Sequence, residues 1–134
     1  MIKKSIILIT IFLVGYFISS KFIKSIDRTS VKKTKLSFSI TKYDFGNLQK
    51  NQNAKFYFKY TNLGRNPLLL EKINTTCGCT VANWSKEELR VNEKDSLLIS
   101  YDTSKPGYFT KEIMVYSNSE TSPDHIFIKG IVLK

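Results

Sequence analysis

The chain of 134 residues has few of the side chains on which catalytic and metal sites usually depend, with two cysteines and one histidine. A tetrahedral zinc site needs four ligands, and the histidine, His125, is remote in sequence from both cysteines. One histidine does not make a catalytic triad convincing, and the sequence has neither a Gly-x-Ser-x-Gly elbow nor a glycine-rich phosphate loop. We therefore predict that the protein is not an enzyme and has no catalytic residue, no cofactor and no metal ligand.

The chain also lacks helical periodicity after residue 36. Apolar and polar residues alternate instead, so that Phe56, Phe58 and Tyr60 share one face of a strand that has lysines on the other. Turn-forming residues separate such runs at fairly even intervals. Strands are predicted at about residues 36–40, 43–48, 54–62, 67–74, 77–82, 96–103, 109–117 and 125–133. This pattern of about seven or eight short antiparallel strands predicts an all-β sandwich.

The sequence also predicts where individual residues of this sandwich lie. The run at 125–133 has apolar residues on both faces, which predicts a strand covered on both sides. Trp84 is predicted to be a core ring, because a sandwich usually buries its tryptophan. Glu87, Glu88 and His125 are predicted to lie at the surface.

A long apolar run occurs near the N-terminus, at residues 6–18. It fits the hydrophobic region of a signal peptide and is short for a spanning helix, which needs about 20 residues. When extended to residues 5–23, it is interrupted only by Lys21, which could snorkel to the interface. The residues that follow it match the small-residue pattern of a signal-peptide cleavage site poorly, so we favour an uncleaved signal anchor over a cleaved signal peptide. The predicted divisions are an N-terminal hydrophobic helix at 1–23, a basic linker at 24–35 and the sandwich domain at 36–134.

The net charge of +10 is concentrated before the sandwich domain. Residues 1–35 carry eight Lys/Arg and one Asp, whereas the rest carries thirteen basic and ten acidic residues in a mixed order. A mixed surface of this kind argues against nucleic-acid binding. The lysines after the apolar run favour a cytoplasmic domain by the positive-inside rule, which conflicts with export. The charge distribution alone does not decide between these two locations.

Both cysteines lie in Cys77-Gly78-Cys79-Thr80, within a strand-like run. In a strand their side chains would share one face with Cα atoms about 6.5–7 Å apart, at the edge of disulfide geometry, so a bridge would need a kink at Gly78. Redox pairs usually have the spacing Cys-x-x-Cys at a helix N-terminus, which is absent here. We favour buried packing residues, with Gly78 allowing a neighbouring backbone or ring to approach. A disulfide and a two-thiolate Cu(I) site remain the alternatives.

The order of motifs along the chain resembles one protein family. The motifs are Tyr43-Asp44-Phe45-Gly46, residues 56–64, Pro67-Leu68, Cys77-Gly78-Cys79-Thr80, Trp84, Tyr101-Asp102, Pro106-Gly107 and Val115-Tyr116-Ser117-Asn118. Over about residues 43–132 they resemble domain-of-unknown-function family 1573. The resemblance implies an immunoglobulin-like sandwich, export in bacteria and no established activity. The chain departs from the family in two ways: Asn83 stands where many members have a proline beside the tryptophan, and the N-terminal segment has no cysteine for lipid attachment.

We therefore interpret the chain as a non-enzymatic, membrane-tethered immunoglobulin-like binding module of the bacterial cell envelope. Its domain would lie outside the cytoplasm, attached to the cytoplasmic membrane through residues 5–23 or secreted. Its partner would be an unknown protein or envelope polymer, and neither nucleic acid nor a small-molecule substrate is inferred. The alternative is a thiol-redox or Cu(I)-handling accessory protein that uses Cys77 and Cys79.

Overall fold

The structure, a computed structural model, describes residues 32–134. The predicted N-terminal hydrophobic helix and most of the basic linker lie outside the described residues. Within residues 32–134, no helix has the length and apolar character to cross a membrane. The strands are β1 (Leu36–Phe38), β2 (Lys42–Leu48), β3 (Ala54–Asn62), β4 (Leu70–Thr75), β5 (Thr80–Asn83), β6 (Lys94–Tyr101), β7 (Gly107–Ser117) and β8 (Asp124–Val132).

The eight strands form two four-stranded sheets, in the orders β1-β3-β6-β5 and β2-β8-β7-β4. This arrangement confirms the predicted all-β sandwich. The prediction that every pair is antiparallel is wrong, because β2 runs parallel to β8. The chain moves from one sheet to the other at Ile40, since Ser39 N–H donates to Lys59 O and Phe127 N–H donates to Thr41 O. No hairpin reverses the chain there, so β2 keeps the direction of β1.

Apolar residues from alternate positions of both sheets fill the space between them, as the period of two predicted. The side chains without exposed surface include Phe58, Leu97, Ile99, Ile113, Val115, Ile126 and Ile128. Burying a side chain of this size contributes about 1.5–3 kcal/mol relative to leaving it in water. The hydrophobic effect along these alternating positions therefore holds the two sheets face to face.

Within residues 32–134, the last strand, β8, is covered on one face only. It lies between β2 and β7, and its inward residues Ile126, Ile128 and Val132 are buried. Its outward residue Ile131 is 43% exposed, because no further layer of residues 32–134 lies over that face. The expectation that β8 is covered on both sides is therefore wrong.

A fully buried asparagine, Asn62, holds the loops at one end of the sandwich. Its Nδ2 donates to the carbonyl oxygens of Asn66 and Leu89, at 2.8 and 3.0 Å. Its Oδ1 accepts from the N–H of Gly64 at 3.1 Å and from the hydroxyl of Thr34 at 2.8 Å. We call this end the N-terminal end, because the first described residues are held here.

A second buried asparagine, Asn118, completes that attachment. Its Nδ2 donates to the carbonyl oxygens of Lys32 and Pro67, at 3.0 and 2.8 Å, and its Oδ1 accepts from Leu69 N–H at 2.8 Å. Buried polar groups with all partners present fix one arrangement of a loop, because any alternative would leave them unpaired. The chain is therefore fixed to the sandwich from Lys32 onward.

Candidate functional site

The cysteine motif lies in the turn between β4 and β5, because β4 ends at Thr75 and β5 begins at Thr80. The predicted strand at 77–82 is therefore wrong in its first half. The turn brings the Cα atoms of Cys77 and Cys79 to 5.3 Å, and the two sulfurs form a disulfide. The kink shortens the separation of about 6.5–7 Å that an extended strand would impose. The structure thus contains the disulfide alternative instead of two free packing thiols.

Hydrogen bonds from neighbouring residues fix this turn at the end of the sandwich opposite the N-terminal end. Thr80 N–H donates to Cys77 O at 3.3 Å, and Asp102 N–H donates to Cys79 O at 2.9 Å. The hydroxyl of Thr75 donates towards Cys77 O, 3.1 Å away. The carboxylate of Asp102 itself accepts from the backbone N–H of Ser104, and this bond is the main reason why its pKa lies below the usual value.

Gly78 has no steric role in the turn. It is exposed, a Cβ built on it would meet no atom within 4 Å, and its φ is not positive. The expectation that Gly78 lets a neighbouring backbone or ring approach is therefore wrong. The kink at this position uses a conformation that other residues can also adopt.

Trp84 follows the cysteine turn and packs against the core with its inner face, as predicted. Its Nε1–H donates to Leu70 O at 3.1 Å, which satisfies the polar atom of the half-buried ring. The Lys86 ammonium lies 3.1 Å from the ring centroid and covers the outer face. This tryptophan therefore has a packing role and offers no open ring to a ligand.

His125, Glu87 and Glu88 lie at the surface, as predicted. His125 Nδ1 is 2.7 Å from Glu112 Oε1, and both side chains are more than one third exposed. A surface pair of this kind contributes little to stability. In residues 32–134, no group of three or more His, Cys, Asp or Glu side chains could hold a metal ion.

The solvent face of the sheet β2-β8-β7-β4 carries a cleft that the sequence analysis missed. The cleft has a volume of about 510 Å³ and lies over the half-buried ring of Phe127, and we call it the Phe127 cleft. Its rim includes Lys42 and Asp44 from β2, Thr110 from β7 and Lys129 from β8. Three neighbouring strands thus contribute side chains to one concave surface.

Charges of both signs surround the Phe127 ring. Lys129 Nζ lies 3.2 Å from Asp44 Oδ2, and Lys42 Nζ lies 5.9 Å from the ring centroid. Gly46 N–H donates to Asp44 Oδ1 at 2.8 Å, and this bond, followed by the one from Lys129, lowers the pKa of the Asp44 carboxyl. The carboxylate is therefore ionised at neutral pH, and the cleft presents an apolar floor with a charged rim.

Exposed apolar side chains extend this surface beyond the cleft. Tyr108 on β7 is 70% exposed and pairs in register with Ile131 on β8. The Thr110 hydroxyl donates to the Tyr108 hydroxyl at 2.6 Å, which orients the ring. The sequence signal for this surface is the presence of apolar residues at both alternating positions of β8, a pattern that also predicts a strand covered by another layer.

A profile of the family described as "Protein of unknown function (DUF1573)" matches residues 36–132. The chain belongs to this family. The match confirms the resemblance inferred from the sequence motifs. No curated protein matches the chain.

Solved structures similar to this DUF1573 protein share its fold. They include a protein of unknown function from Porphyromonas gingivalis W83, with a TM-score of 0.67 and 21% identity over 78% of this chain. The match spans 49% of the Porphyromonas protein, so the present chain covers about half of that length.

Two further structures come from distant sources. The ASH/PapD-like domain of human CEP192 has a TM-score of 0.64 and 10% identity, and the match covers 76% of this chain and 87% of that domain. The Vibrio cholerae VesB protease has a TM-score of 0.58 and 14% identity, and the match covers 73% of this chain and 32% of the protease. At these identities the likeness shows an immunoglobulin-like or PapD-like β fold and no shared activity.

Proposed function

We propose that this DUF1573 protein is a non-enzymatic binding module, tethered to the bacterial cytoplasmic membrane with its domain on the outer side. The observation that carries the proposal is the Phe127 cleft. An aromatic ring in a depression, with a polar and charged rim, has the composition of the central contact in many binding surfaces. The ligand would be a protein or an envelope polymer, since the cleft lies on a broad sheet face and not in an enclosed cavity.

The tether is the apolar segment at residues 5–23, which is long enough to span a bilayer. The export of related proteins, implied by the family resemblance, supports an outer location. A reporter that is active only outside the cytoplasm, fused after Lys134, should be active, and the protein should sediment with membranes. If only a cytoplasmic reporter were active, this location would be contradicted and the cytoplasmic location that the positive-inside rule favours would be supported.

Binding through the Phe127 cleft can be measured with the full chain in lipid nanodiscs and isolated periplasmic and cell-wall fractions. The double variant Phe127→Ala/Lys129→Ala should lose most of the saturable binding, because it removes the ring and one rim charge. The control variant Leu63→Ala/Lys50→Ala removes an exposed apolar and an exposed basic side chain elsewhere. Equal loss in both variants, or no loss in the first, would contradict a role for the cleft.

The disulfide between Cys77 and Cys79 favours a second function, in thiol–disulfide exchange. In that reaction the disulfide would be reduced to two thiols while two thiols of a partner protein are oxidised to a disulfide. Handling of Cu(I) would require the reduced form, because thiolates bind this ion. A Cys79→Ser variant keeps the Cys77 thiol, which would attack the disulfide of an oxidised partner in the reverse of this exchange and release one partner thiol. The resulting mixed disulfide through Cys77 should accumulate and be seen after rapid alkylation of whole cells, whereas a purely structural bridge would give none.

A further inference from the structure

The outer edge of β3 is only partly paired. β3 spans Ala54–Asn62, whereas its neighbour β1 spans only Leu36–Phe38 and pairs with residues 60–62. Beyond β1 the chain crosses to the other sheet at Ile40. In the part of the chain that the structure describes, no strand pairs with residues 54–58 on this side.

The backbone groups at this open edge can be assigned from the strand register. Ser39 N–H donates to Lys59 O, so the backbone groups of Lys59 point towards the outer edge. In an antiparallel ladder alternate residues point to the same side. The N–H and C=O groups of Lys55 and Tyr57 therefore point outward as well, whereas those of Phe56 and Phe58 point towards β6. A second extended chain would find two spaced pairs of unpaired groups here.

A groove runs beside this open edge. It has a volume of about 450 Å³, and its lining includes Ile40, Phe56 and Tyr57. Ile40 is 44% exposed and Tyr57 is 55% exposed. The half-buried ring of Phe56 stacks on Tyr43 with a centroid distance of 3.6 Å. An added strand would cover these apolar surfaces while pairing with the backbone.

The charges along the edge select the partner. Lys55 and Lys59 are exposed on either side of Tyr57, and within residues 32–134 neither forms a salt bridge. Ser39 already occupies the position facing Lys59, so Lys55 and Tyr57 are the outward residues open to a partner. We propose that the open edge of β3 binds an extended segment of a partner protein as an added antiparallel strand, with an apolar residue facing Tyr57 and an acidic residue facing Lys55. The partner segment would thus carry an apolar residue at i and an acidic residue at i+2, since opposite charges stabilise directly facing positions of a sheet.

A second copy of this chain does not fit the same edge. Two β3 edges paired antiparallel about Tyr57 would direct Lys55 of each copy towards Lys59 of the other, at a position that Ser39 already occupies. Facing like charges destabilise strand pairs, and lysines on an edge strand commonly prevent such self-association. The inference rests on the binding role proposed above and adds a surface separate from the Phe127 cleft.

The test uses the full chain in detergent micelles and a synthetic peptide of about nine residues. The peptide carries Val at i and Glu at i+2, with a β-branched apolar residue between them. On binding, the amide hydrogens of Lys55 and Tyr57 should exchange at least about tenfold more slowly, while those of Phe56 and Phe58 change little. This alternation distinguishes strand addition from contact through side chains alone.

Four comparisons complete the experiment. A peptide with Lys in place of Glu should bind at least about tenfold more weakly, and so should the acidic peptide to the variant Lys55→Glu/Lys59→Glu. The variant Lys72→Glu/Arg90→Glu changes the net charge equally and should retain binding, since Lys72 lies on β4 of the other sheet and Arg90 lies in the loop before β6, next to the opposite end of β3. A peptide N-methylated at its pairing amides should not bind, because it cannot form the ladder.

The proposal would be overturned by absence of acidic-peptide binding, by equal affinity of the acidic and basic peptides, or by binding of the N-methylated peptide. It would also be overturned if the Lys55 and Tyr57 amides were already protected in the free protein, since another part of the chain or a second copy would then occupy the edge. None of these outcomes affects the test of the Phe127 cleft, because the two experiments change different residues.

Discussion

The hydrogen bonds of Asn62 give the sharpest prediction about stability. Asn62→Ala removes two donated and two accepted hydrogen bonds from a side chain with no exposed surface. Each bond contributes about 0.5–1.5 kcal/mol net, and a buried group left unpaired costs about 1–3 kcal/mol. Thr34 Oγ1 also lies 2.8 Å from Asn66 O, so part of the network survives the substitution. We expect a loss of about 3 kcal/mol in the free energy of unfolding.

Urea unfolding of the full chain in a mild detergent measures this loss, provided that the slope of the transition is unchanged. Thr34→Val removes one hydroxyl from the same network and should cost about 1 kcal/mol. The control is Asn53→Ala, which truncates an exposed asparagine and should change stability by less than about 0.5 kcal/mol. A loss below about 1 kcal/mol for Asn62→Ala would refute the argument that this network holds the N-terminal end together.

Three further predictions concern packing and pH. Phe58→Ala should reduce the free energy of unfolding by about 3–5 kcal/mol, because the ring is fully buried; a change below about 1 kcal/mol would mean that the face assignment is inverted. Gly78→Ala should be nearly neutral in thermal unfolding, whereas Gly130→Ala should destabilise, since its Cβ would lie 2.9 Å from Phe109 Cζ. The pKa of Asp44 is lower in the folded state than its usual value of 3.8. The ionised carboxylate therefore stabilises the fold at pH values above 3.8, and this stabilisation is lost as the pH falls through the pKa of the folded state. Asp44→Asn should therefore reduce the loss of unfolding free energy at acid pH, and an unchanged pH dependence would contradict the assignment.

The fold was predictable from the sequence because it depends on local alternation. The run around Phe58 gives β3 its limits of Ala54–Asn62, which the structure reproduces. The parallel pairing of β2 was not predictable, because it depends on the crossing at Ile40, where no turn residue marks a change of sheet. The cysteine turn was missed for a related reason: Thr75 to Thr80 has the residue composition of a strand, and only the disulfide and its neighbouring loops reveal the kink.

The candidate surfaces were harder to predict from the sequence than the fold, because they depend on tertiary structure. The sequence places Phe127 and Ile131 on the opposite face from Ile128, and it does not show whether another layer covers them. Lys42 and Asp44 come to the same cleft only because β2 pairs with β8. The open edge of β3 likewise follows from the shortness of β1, a boundary that alternation alone does not locate.

The central claim is that the outward face at Phe127 binds a partner in the cell envelope, and site-specific crosslinking in intact cells tests it most directly. A photoreactive phenylalanine analogue would replace either Phe127 or, as the control, the exposed Leu63 in the β3–β4 loop. We expect one dominant adduct from position 127 that Lys129→Ala weakens, and no such adduct from position 63. The same adducts from both positions, or none from position 127, would contradict it.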